Sequence, residues 1–497
     1  MRDLFTNPLW KEEDLGKPIP DSPHAVSVAL PRWEHVIGYE EKDPAIVERM
    51  SCGYPRFYCH PLTRELFARA AEAFAEPGEE GIVLRSEGSA RRCVIYLRQR
   101  AGVESRVEAF GGADLWAVVF PGAARETALK YWQHCGEIPS SRLCAVELSK
   151  AGAQLPGTGE GREARDTLRS RIAGLSGQRA EDVFLFPSGM AGVAAVHRAL
   201  NRMFPGRKCV QLEFPYVDVL KVQQQFGPGV HFLPLDESGD LAPLEKLLEN
   251  EQVAGVYCEL ASNPLLRCVD LERLGGILRR YEVPLVADDT IGTVVNIDAF
   301  RAADVVTTSL TKYFSGVGDV LAGSVALRAD SAFRQALRVE LREVAEDALW
   351  DGDAIVLEGN SRDFEERVRR MNASGEALYE FLAPHRKVQE VWYPKNRTRD
   401  FFDAIRRPGG GYGALISILL RDASRSAPAF YDALRVSKGP SLGTNYSLAC
   451  PYTLLAHYGE LDWAEDCGVA RNLVRISTGM EEVEDLVGRF EQALAAV

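Results

Sequence analysis

The chain has 497 residues, of which 46% are hydrophobic and 26% are charged, a composition typical of a folded protein with two or three domains. Its formal net charge of −13 argues against nucleic acid or an anionic membrane as a partner, because both attract a basic surface. No apolar run approaches the roughly 20 residues that span a bilayer, so we expect no membrane segment.

Cysteine usage and the first residues bear on the compartment. The opening MRDLFTNPLWKEEDLGKPIP lacks an apolar signal core and carries acidic residues, which argues against secretory or mitochondrial targeting. The ten cysteines are scattered, with no CxxC pair and no His/Cys spacing typical of a metal site. We therefore expect a reduced, cytoplasmic protein without a bound metal.

The first 150 residues are predicted to form two different units. Residues 1–65 are rich in proline and aromatic side chains and show little periodicity, so we expect an extended arm that lies on another protein surface. Residues 66–150 contain three runs that resemble strands, GIVLRS, RRCVIYLRQ and LWAVVF, and one run that resembles a helix, ARETALKYWQHCG. This alternation predicts a small α/β insertion.

The remaining sequence predicts two α/β domains. In residues 151–340, seven apolar runs alternate with amphipathic helices: DVFLF, KCVQLEF, GVHFLPL, VAGVYCEL, VPLVADD, DVVTTSL and GSVAL. Such a rhythm indicates a mostly parallel sheet covered by helices on both faces, here a large domain. Residues 341–497 predict a smaller α/β domain with a buried strand at GALISILL and a C-terminal amphipathic helix.

Polar residues follow the predicted strands of the large domain. Asp288 ends the run VPLVAD, Lys312 follows the next strand in a turn rich in hydroxyls and glycine, and Ser188, Gly189 and Met190 begin a helix after FLFP. In an open parallel sheet, ligands bind beyond the carboxyl ends of the strands. Free backbone N–H groups at a helix start can hold a phosphate there.

A phosphate-binding turn, a carboxylate and a lysine together are what pyridoxal phosphate requires. Lys312 would form the Schiff base, Asp288 would keep the pyridine nitrogen protonated, and the hydroxyls of Ser309 and Thr311 could reach the phosphate. Each residue alone has an ordinary explanation, a surface lysine or a helix N-cap. Their combination predicts a pyridoxal-phosphate site with no metal.

Six or more short motifs resemble, in order, those of the Cys/Met-metabolism family of pyridoxal-phosphate enzymes, the cystathionine γ-synthase group. SLTKYFSGVGDVLAGS resembles the lysine motif of that family, VADDT its aspartate motif and FPSGMAG its phosphate turn. The resemblance extends from about residue 54 to 497 and implies fold type I, the aspartate-aminotransferase-like fold, with a cofactor-binding large domain and a smaller C-terminal domain. The insertion and the opening segment resemble the long, fungal-type members.

The resemblance implies further roles at matching positions. Tyr216 in FPYVDV would stack on the pyridine ring and act with Lys312 and Asp288 in catalysis, and Asn263 in ELASNP would donate to the phenolic oxygen of the cofactor. Arg475 in RISTGM would bind the substrate carboxylate, and Ser441 in PSLGTNYSL would lie near the lysine.

Tyr54 and Arg56, in GYPRF, correspond to residues that in relatives reach the phosphate of the neighbouring subunit. A phosphate dianion held by neutral groups still lacks a cation, which a guanidinium supplies through two hydrogen bonds. The resemblance therefore implies a homo-oligomer, a dimer or a pair of dimers, with shared active sites.

The implied activity is γ-replacement on an O-acyl-L-homoserine, with cysteine as nucleophile to give cystathionine. Sulfide, a carbon or nitrogen nucleophile, and γ-elimination remain alternatives, and the acyl group stays open. A dinucleotide oxidoreductase would need GxGxxG after the first strand, which the sequence lacks. A non-catalytic relative would not be expected to keep Lys312, Asp288, Tyr216 and Arg475 together.

Overall fold

The computed structural model describes residues 2–112, 114–150, 152–153, 155–157, 159–345 and 349–497. Residue 151, where the large domain is predicted to begin, lies outside these ranges. The strands form a seven-stranded and a five-stranded sheet together with a three-stranded and a two-stranded one.

The first 60 residues contain short strands and helices, and they pack against later residues of the same chain. Their elements are β1 (Pro18–Ile19), β2 (Ser27–Val28), α1 (Trp33–Glu40) and α2 (Pro44–Val47). Trp33 packs edge-to-face on Tyr431 with ring centroids 6.0 Å apart, and the Lys438 ammonium donates to the Pro31 carbonyl at 2.9 Å. The predicted extended arm therefore contains two short helices that its sequence pattern does not show, because burial against the C-terminal domain stabilises them. Its predicted contact with a neighbouring subunit stays a prediction.

Residues 61–147, which overlap the predicted insertion 66–150, form an α/β unit around one hydrophobic cluster. The three strands are antiparallel in the order β3–β5–β4. The run RRCVIYLRQ was predicted as a strand and is instead part of a helix, in which Cys93, Tyr96 and Leu97 are buried at the i, i+3, i+4 spacing of one helix face. The elements are α3 (Pro61–Phe74), β3 (Glu79–Leu84), α4 (Glu87–Ala101), β4 (Arg106–Phe110), β5 (Leu115–Pro121), α5 (Arg125–Cys135) and α6 (Ser141–Glu147).

The seven predicted strands of the large domain are all present and form one sheet in the order β6–β12–β11–β10–β9–β7–β8. It is parallel except for β12, which runs antiparallel to β11 and β6. The elements are α7 (Glu160–Ser176), β6 (Val183–Phe186), α8 (Gly189–Met203), β7 (Cys209–Leu212), α9 (Val217–Gln225), β8 (Val230–Leu233), α10 (Ala242–Asn250), β9 (Val256–Glu259), α11 (Leu271–Arg280), β10 (Leu285–Asp288), β11 (Val305–Thr308), β12 (Gly323–Leu327), α12 (Arg334–Ala345) and α13 (Asp351–Asn360).

The C-terminal part is an α/β unit around a five-stranded sheet in the order β13–β14–β17–β16–β15. The predicted strand GALISILL is β14, whose side chains are almost all buried. The elements are α14 (Phe364–Leu382), β13 (Val388–Trp392), α15 (Arg399–Ile405), β14 (Leu415–Leu420), α16 (Ala423–Ala433), β15 (Ser437–Lys438), β16 (Leu448–Pro451), α17 (Tyr452–His457), α18 (Leu461–Asp466), β17 (Val474–Ser477) and α19 (Val483–Ala495).

The topology brings polar residues from both sheets to one edge. Glu259 and Asp288 are the last residues of the parallel neighbours β9 and β10, and Lys312 lies in the turn after β11. Arg475 belongs to the central strand β17 of the smaller sheet. The carboxyl ends of the large sheet therefore face the C-terminal unit across the predicted site.

Candidate active site

Most of the residues predicted from the sequence line a single cavity between the two sheets. Of the predicted set, the ones on its wall are Tyr54, Arg56, Gly189, Met190, Tyr216, Asn263, Asp288, Ser309, Lys312 and Arg475. Ser188, Thr311 and Ser441 are not among the lining residues, but each is adjacent in sequence to one that is. Within the described ranges, no cluster of three His, Cys, Asp or Glu residues is placed to bind a metal ion, and no helix is long and apolar enough to cross a membrane.

Lys312 presents its amine to this cavity. Its Nζ donates to Ser441 Oγ at 3.0 Å and lies 4.3 Å from the centroid of the Tyr54 ring. Desolvation lowers the pKa of Lys312 from its ordinary value; the Tyr54 phenol opposes this shift, and the Arg475 charge adds to it. A lysine held in this way supplies a neutral amine more readily than a surface lysine.

Asp288 is fixed by hydrogen bonds at the end of β10. One carboxyl oxygen accepts from the Thr290 amide at 2.8 Å and the other from the Thr307 hydroxyl at 3.1 Å. Burial raises the pKa of Asp288, and these hydrogen bonds counter the shift. A partner with an N–H group or a positive charge would stabilise its ionised form.

The start of α8 provides two backbone donors. Ser188 is the N-cap, and its Oγ accepts from the Ala191 amide at 3.1 Å and donates to the Gly136 carbonyl at 2.8 Å. The amides of Gly189 and Met190 are the first two of the helix and have no partner within it. A Cβ at Gly189 would lie 2.9 Å from the Ser309 Cβ, so glycine lets the helix start and the lysine turn meet.

Thr311 faces away from the cavity in this structure. Its hydroxyl donates to the Ala322 carbonyl at 3.2 Å and accepts from the Ala322 amide at 3.0 Å. These bonds fix the turn that carries Lys312. In this structure the hydroxyl hydrogen of Thr311 is directed at the Ala322 carbonyl, and its predicted role as a hydroxyl donor to phosphate stays a prediction.

Arg56 is buried beside Tyr216 of the same chain. Its guanidinium pairs with Asp218, donates to the Gln133 carbonyl at 3.1 Å and donates to the Tyr216 hydroxyl at 2.6 Å. Burial lowers the pKa of Arg56, but the neighbouring Tyr216 and Asp218 raise it by more, so the pKa is raised overall. Tyr54 and Arg56 were predicted to contact the neighbouring subunit, but in the described chain they complete the wall of their own cavity.

Asn263 and Arg475 orient one another. Arg475 donates to Asn263 Oδ1 at 3.1 Å and to the carbonyls of Pro440 and Ser441 at 2.9 and 3.2 Å. Because the amide oxygen of Asn263 faces the guanidinium, its Nδ2 is left to donate into the cavity. No carboxylate among the described residues pairs with Arg475, so this buried cation is available to a ligand carboxylate.

Glu259 is a site residue for which sequence reasoning assigned no role. Its carboxyl accepts from the backbone amides of Tyr216 at 2.6 Å and Asn263 at 2.9 Å, and thus holds both segments at the end of β9. Burial, with a further contribution from Asp288, raises the pKa of Glu259 to about 8. The available signal was that Glu259 ends a buried strand and begins the motif ELASNP.

These groups fit pyridoxal phosphate. The free helix amides, the Ser309 hydroxyl and Arg56 suit the phosphate, Asp288 suits the pyridine nitrogen, Asn263 Nδ2 suits the phenolic oxygen, and Lys312 carries the amine that the aldehyde needs. Because residue 189 is a glycine, the start of α8 can approach Ser309 closely on the side of the cavity that suits the phosphate. The donor set therefore matches the group in charge and in hydrogen-bonding type.

Comparison with known proteins agrees with this chemistry. The family model described as Cys/Met metabolism PLP-dependent enzyme matches residues 159–495, and the N-terminal domain of fungal trans-sulfuration enzymes matches residues 62–140. The cystathionine gamma-synthase of Neurospora crassa is 35% identical over 97% of this chain and 98% of its own length. The L-2-amino-4-chloropent-4-enoate dechlorinase/desaturase of Streptantibioticus cattleyicolor is 32% identical over 96% of this chain and 97% of its own.

The fold is also that of solved relatives. The structure of cystathionine gamma synthase from Xanthomonas oryzae pv. oryzae in complex with cystathionine superposes with a TM-score of 0.61 and 25% identity, covering 69% of this chain and 89% of that one. The α/β architecture is thus fold type I, as predicted. With its family match over the large and C-terminal domains and its fungal-type N-terminal domain, the chain belongs to the Cys/Met-metabolism family of pyridoxal-phosphate-dependent enzymes, in the cystathionine γ-synthase-like group.

Proposed function

We propose that this enzyme catalyses γ-replacement on an O-acyl-L-homoserine, with cysteine as the nucleophile and cystathionine as the product. The contacts of Ser441 are the observation that carries the proposal. Its hydroxyl accepts from Lys312 Nζ at 3.0 Å, while its carbonyl accepts from Arg475 at 3.2 Å. A substrate whose carboxylate pairs with Arg475 would therefore have its Cα close to the amine that moves protons.

Different residues of the cavity would act in different steps of the reaction. Bound pyridoxal phosphate would supply an electron sink for negative charge that develops on the substrate at Cα and Cβ. Lys312 would take the Cα proton as a general base, because its lowered pKa leaves the amine partly neutral, and would pass that proton on to the electron sink. The amine, neutral again, would then take a Cβ proton. The bond between Cγ and the ester oxygen would break, and the acyl group would leave as a carboxylate. The thiol sulfur would then bond to Cγ with loss of its proton, and Lys312 would return protons to Cβ and Cα to complete the product.

Tyr54 is suited to hold a proton beside Lys312. Burial raises the pKa of Tyr54, but the charges of Lys312 and Arg56 outweigh that effect, and the pKa is lowered overall. Its ring lies 4.3 Å from Lys312 Nζ. We propose that Tyr54 takes up the proton that the substrate ammonium loses on binding.

We also propose that the enzyme is a homo-oligomer and is cytoplasmic. The family resemblance supports a homo-oligomer, a dimer or a pair of dimers. All ten cysteines are free thiols and eight of them are buried, which supports a reducing, cytoplasmic setting.

A substrate panel tests the proposed reaction. The holoenzyme would be incubated with O-acetyl- or O-succinyl-L-homoserine together with cysteine, with sulfide or with neither, and the products identified by mass spectrometry. We expect cystathionine with cysteine from at least one ester, and none from Lys312→Ala. Only 2-oxobutanoate and ammonia would instead indicate a γ-lyase, and a product with sulfide alone would identify a homocysteine-forming enzyme.

A further inference from the structure

One glutamate on the cavity wall has no role in the proposed chemistry. Glu40 is the last residue of α1, is half-buried, and lines the same cavity as Lys312 and Arg475. Helix α1 packs on α17, the helix that follows β16, and thereby places Glu40 at the wall. The next residue, Glu41, is exposed and accepts from the Tyr458 hydroxyl at 2.6 Å outside the cavity.

Glu40 differs from the other acidic residues on this wall. Among the described residues that line the cavity, the carboxyls are those of Glu40, Glu259 and Asp288. Both oxygens of Glu259 accept from backbone amides, and both oxygens of Asp288 accept from Thr290 and Thr307. Within the part of the chain that the structure describes, the carboxyl of Glu40 accepts no hydrogen bond and forms no ion pair.

The surroundings of Glu40 do not stabilise its charge. A half-buried carboxylate without a partner is costly, and the C-terminal end of a helix repels negative charge. The last turn of α1 contains no basic residue. Burial raises the pKa of Glu40 to about 8, although Lys42 counters part of the shift. A cation that enters the cavity would restore the charge and supply the missing partner.

The proposed reaction brings such a cation into the cavity. Two amino acids must meet there, and the first would be held by Arg475 with its amine at the cofactor. The second enters with an α-ammonium of its own, and the cationic side chains on the wall are Arg56, Lys312 and Arg475. Since the carboxyl oxygens of Glu259 and Asp288 are already engaged, that ammonium would meet mainly like charge unless Glu40 paired with it.

We propose that Glu40 binds the α-ammonium of the amino-acid thiol that enters as the nucleophile. This inference rests on the proposed γ-replacement and assigns the ligand class of its second substrate, an α-amino thiol such as cysteine. Glu40 would thus favour cysteine over thiols that lack an ammonium, such as sulfide, without taking part in the steps at Lys312.

The test compares Glu40→Gln with wild type, using cysteine and 3-mercaptopropionate, which lacks the ammonium but keeps the thiol and carboxylate. We expect the KM for cysteine to rise at least about tenfold, equivalent to about 1.4 kcal/mol. We expect the KM for 3-mercaptopropionate to change less than about twofold, because it offers no group to Glu40. Glu40→Asp should recover part of the lost cysteine affinity, and Glu41→Gln should leave both KM values unchanged.

Two further measurements separate binding from structure. Elimination of the acyl ester without thiol should keep its KM in Glu40→Gln, and the melting temperature should not fall, because an unpartnered carboxyl contributes no stabilising contact. An unchanged KM for cysteine, or an equal rise for both thiols, would overturn the inference. Failure of the proposed function would show already in the wild type, as consumption of the ester without cystathionine, and would overturn both.

Discussion

The amine of Lys312 lies between a hydroxyl and an aromatic ring, and this environment determines its chemistry. In the described chain it pairs with no carboxylate, so its charge is stabilised only by Ser441 and the face of Tyr54. Desolvation then lowers the pKa, with Arg475 adding to the effect. A general base needs a pKa near the working pH, and the cavity shifts Lys312 in that direction.

Replacement of Asp288 tests its role as the partner of the pyridine nitrogen. Asp288→Asn keeps the side-chain shape but removes the negative charge. We expect bound cofactor and a turnover lower by at least about two orders of magnitude, roughly 2.7 kcal/mol of transition-state stabilisation. Steady-state kinetics on spectroscopically loaded enzyme would measure this.

Asp289 provides the matched control for that variant. Its carboxyl accepts from the Thr308 hydroxyl at 2.5 Å, does not line the cavity, and burial raises its pKa to about 7. Asp289→Asn should therefore keep turnover within a few-fold of wild type. Near-normal turnover in Asp288→Asn would refute the assigned role.

Arg475 can be tested through substrate affinity. Its guanidinium is held by Asn263 and two carbonyls in a geometry that lysine cannot reproduce. Arg475→Lys should raise the KM for the homoserine ester about tenfold or more, with a smaller effect on kcat. Arg471→Lys, at an exposed ion pair with Glu465, is the control and should leave this KM unchanged; an unchanged KM in both variants would argue against carboxylate binding by Arg475.

At the scale of elements, the start of α8 packs against the turn after β11 at Gly189 and Ser309. Gly189→Ala should weaken cofactor retention, because its Cβ would lie 2.9 Å from the Ser309 Cβ and 3.2 Å from the Ser309 Oγ. The dissociation constant for pyridoxal phosphate, measured by absorbance titration, should rise at least about tenfold, or about 1.4 kcal/mol.

Gly174→Ala, at an exposed position in the last turn of α7 with open space at the Cβ, is the matched control and should retain the cofactor as wild type does. Equal retention by Gly189→Ala would show that the two segments can separate without harm to the site.

The elements that could be predicted from the sequence are those whose hydrophobic pattern directly reflects which of their residues are buried. The seven strands of the large sheet are apolar runs followed by polar residues. Asp288 ends β10 and Lys312 lies in the turn after β11, so the topology rule for parallel sheets places both at one edge. The run RRCVIYLRQ has an apolar centre that suits either a strand or a helix, and only its packing face decides.

The missed parts of the site depend on contacts that are distant in sequence. Glu40 reaches the cavity because α1 packs on α17, more than 400 residues further along the chain. Neither its residue type nor its spacing indicates that contact. Glu259, by contrast, ends a recognisable strand and could have been assigned from its position alone.

At the scale of the whole molecule, the first 150 residues complete a site built mainly by the rest of the chain. Arg56 is held by Gln133 of the insertion and by Asp218 and Tyr216 of the large domain. The same contacts would form between two copies that exchanged residues 1–150, because a swapped element keeps its contacts. The resemblance to relatives implies such sharing, whereas the described chain makes the contacts by itself.

Mixing two inactive variants distinguishes these arrangements. Arg56→Ala and Lys312→Ala would be denatured together and refolded, and heterodimers verified by mass. Because Arg56 and Lys312 lie at one cavity of one chain, we expect every site in a heterodimer to lack one of them and the mixture to stay inactive. If the arm is exchanged, half the sites of each heterodimer are intact, and random mixing restores about a quarter of wild-type activity. Such recovery would place Arg56 at the neighbour's phosphate, and the contacts with Asp218 and Tyr216 would then be contacts between subunits.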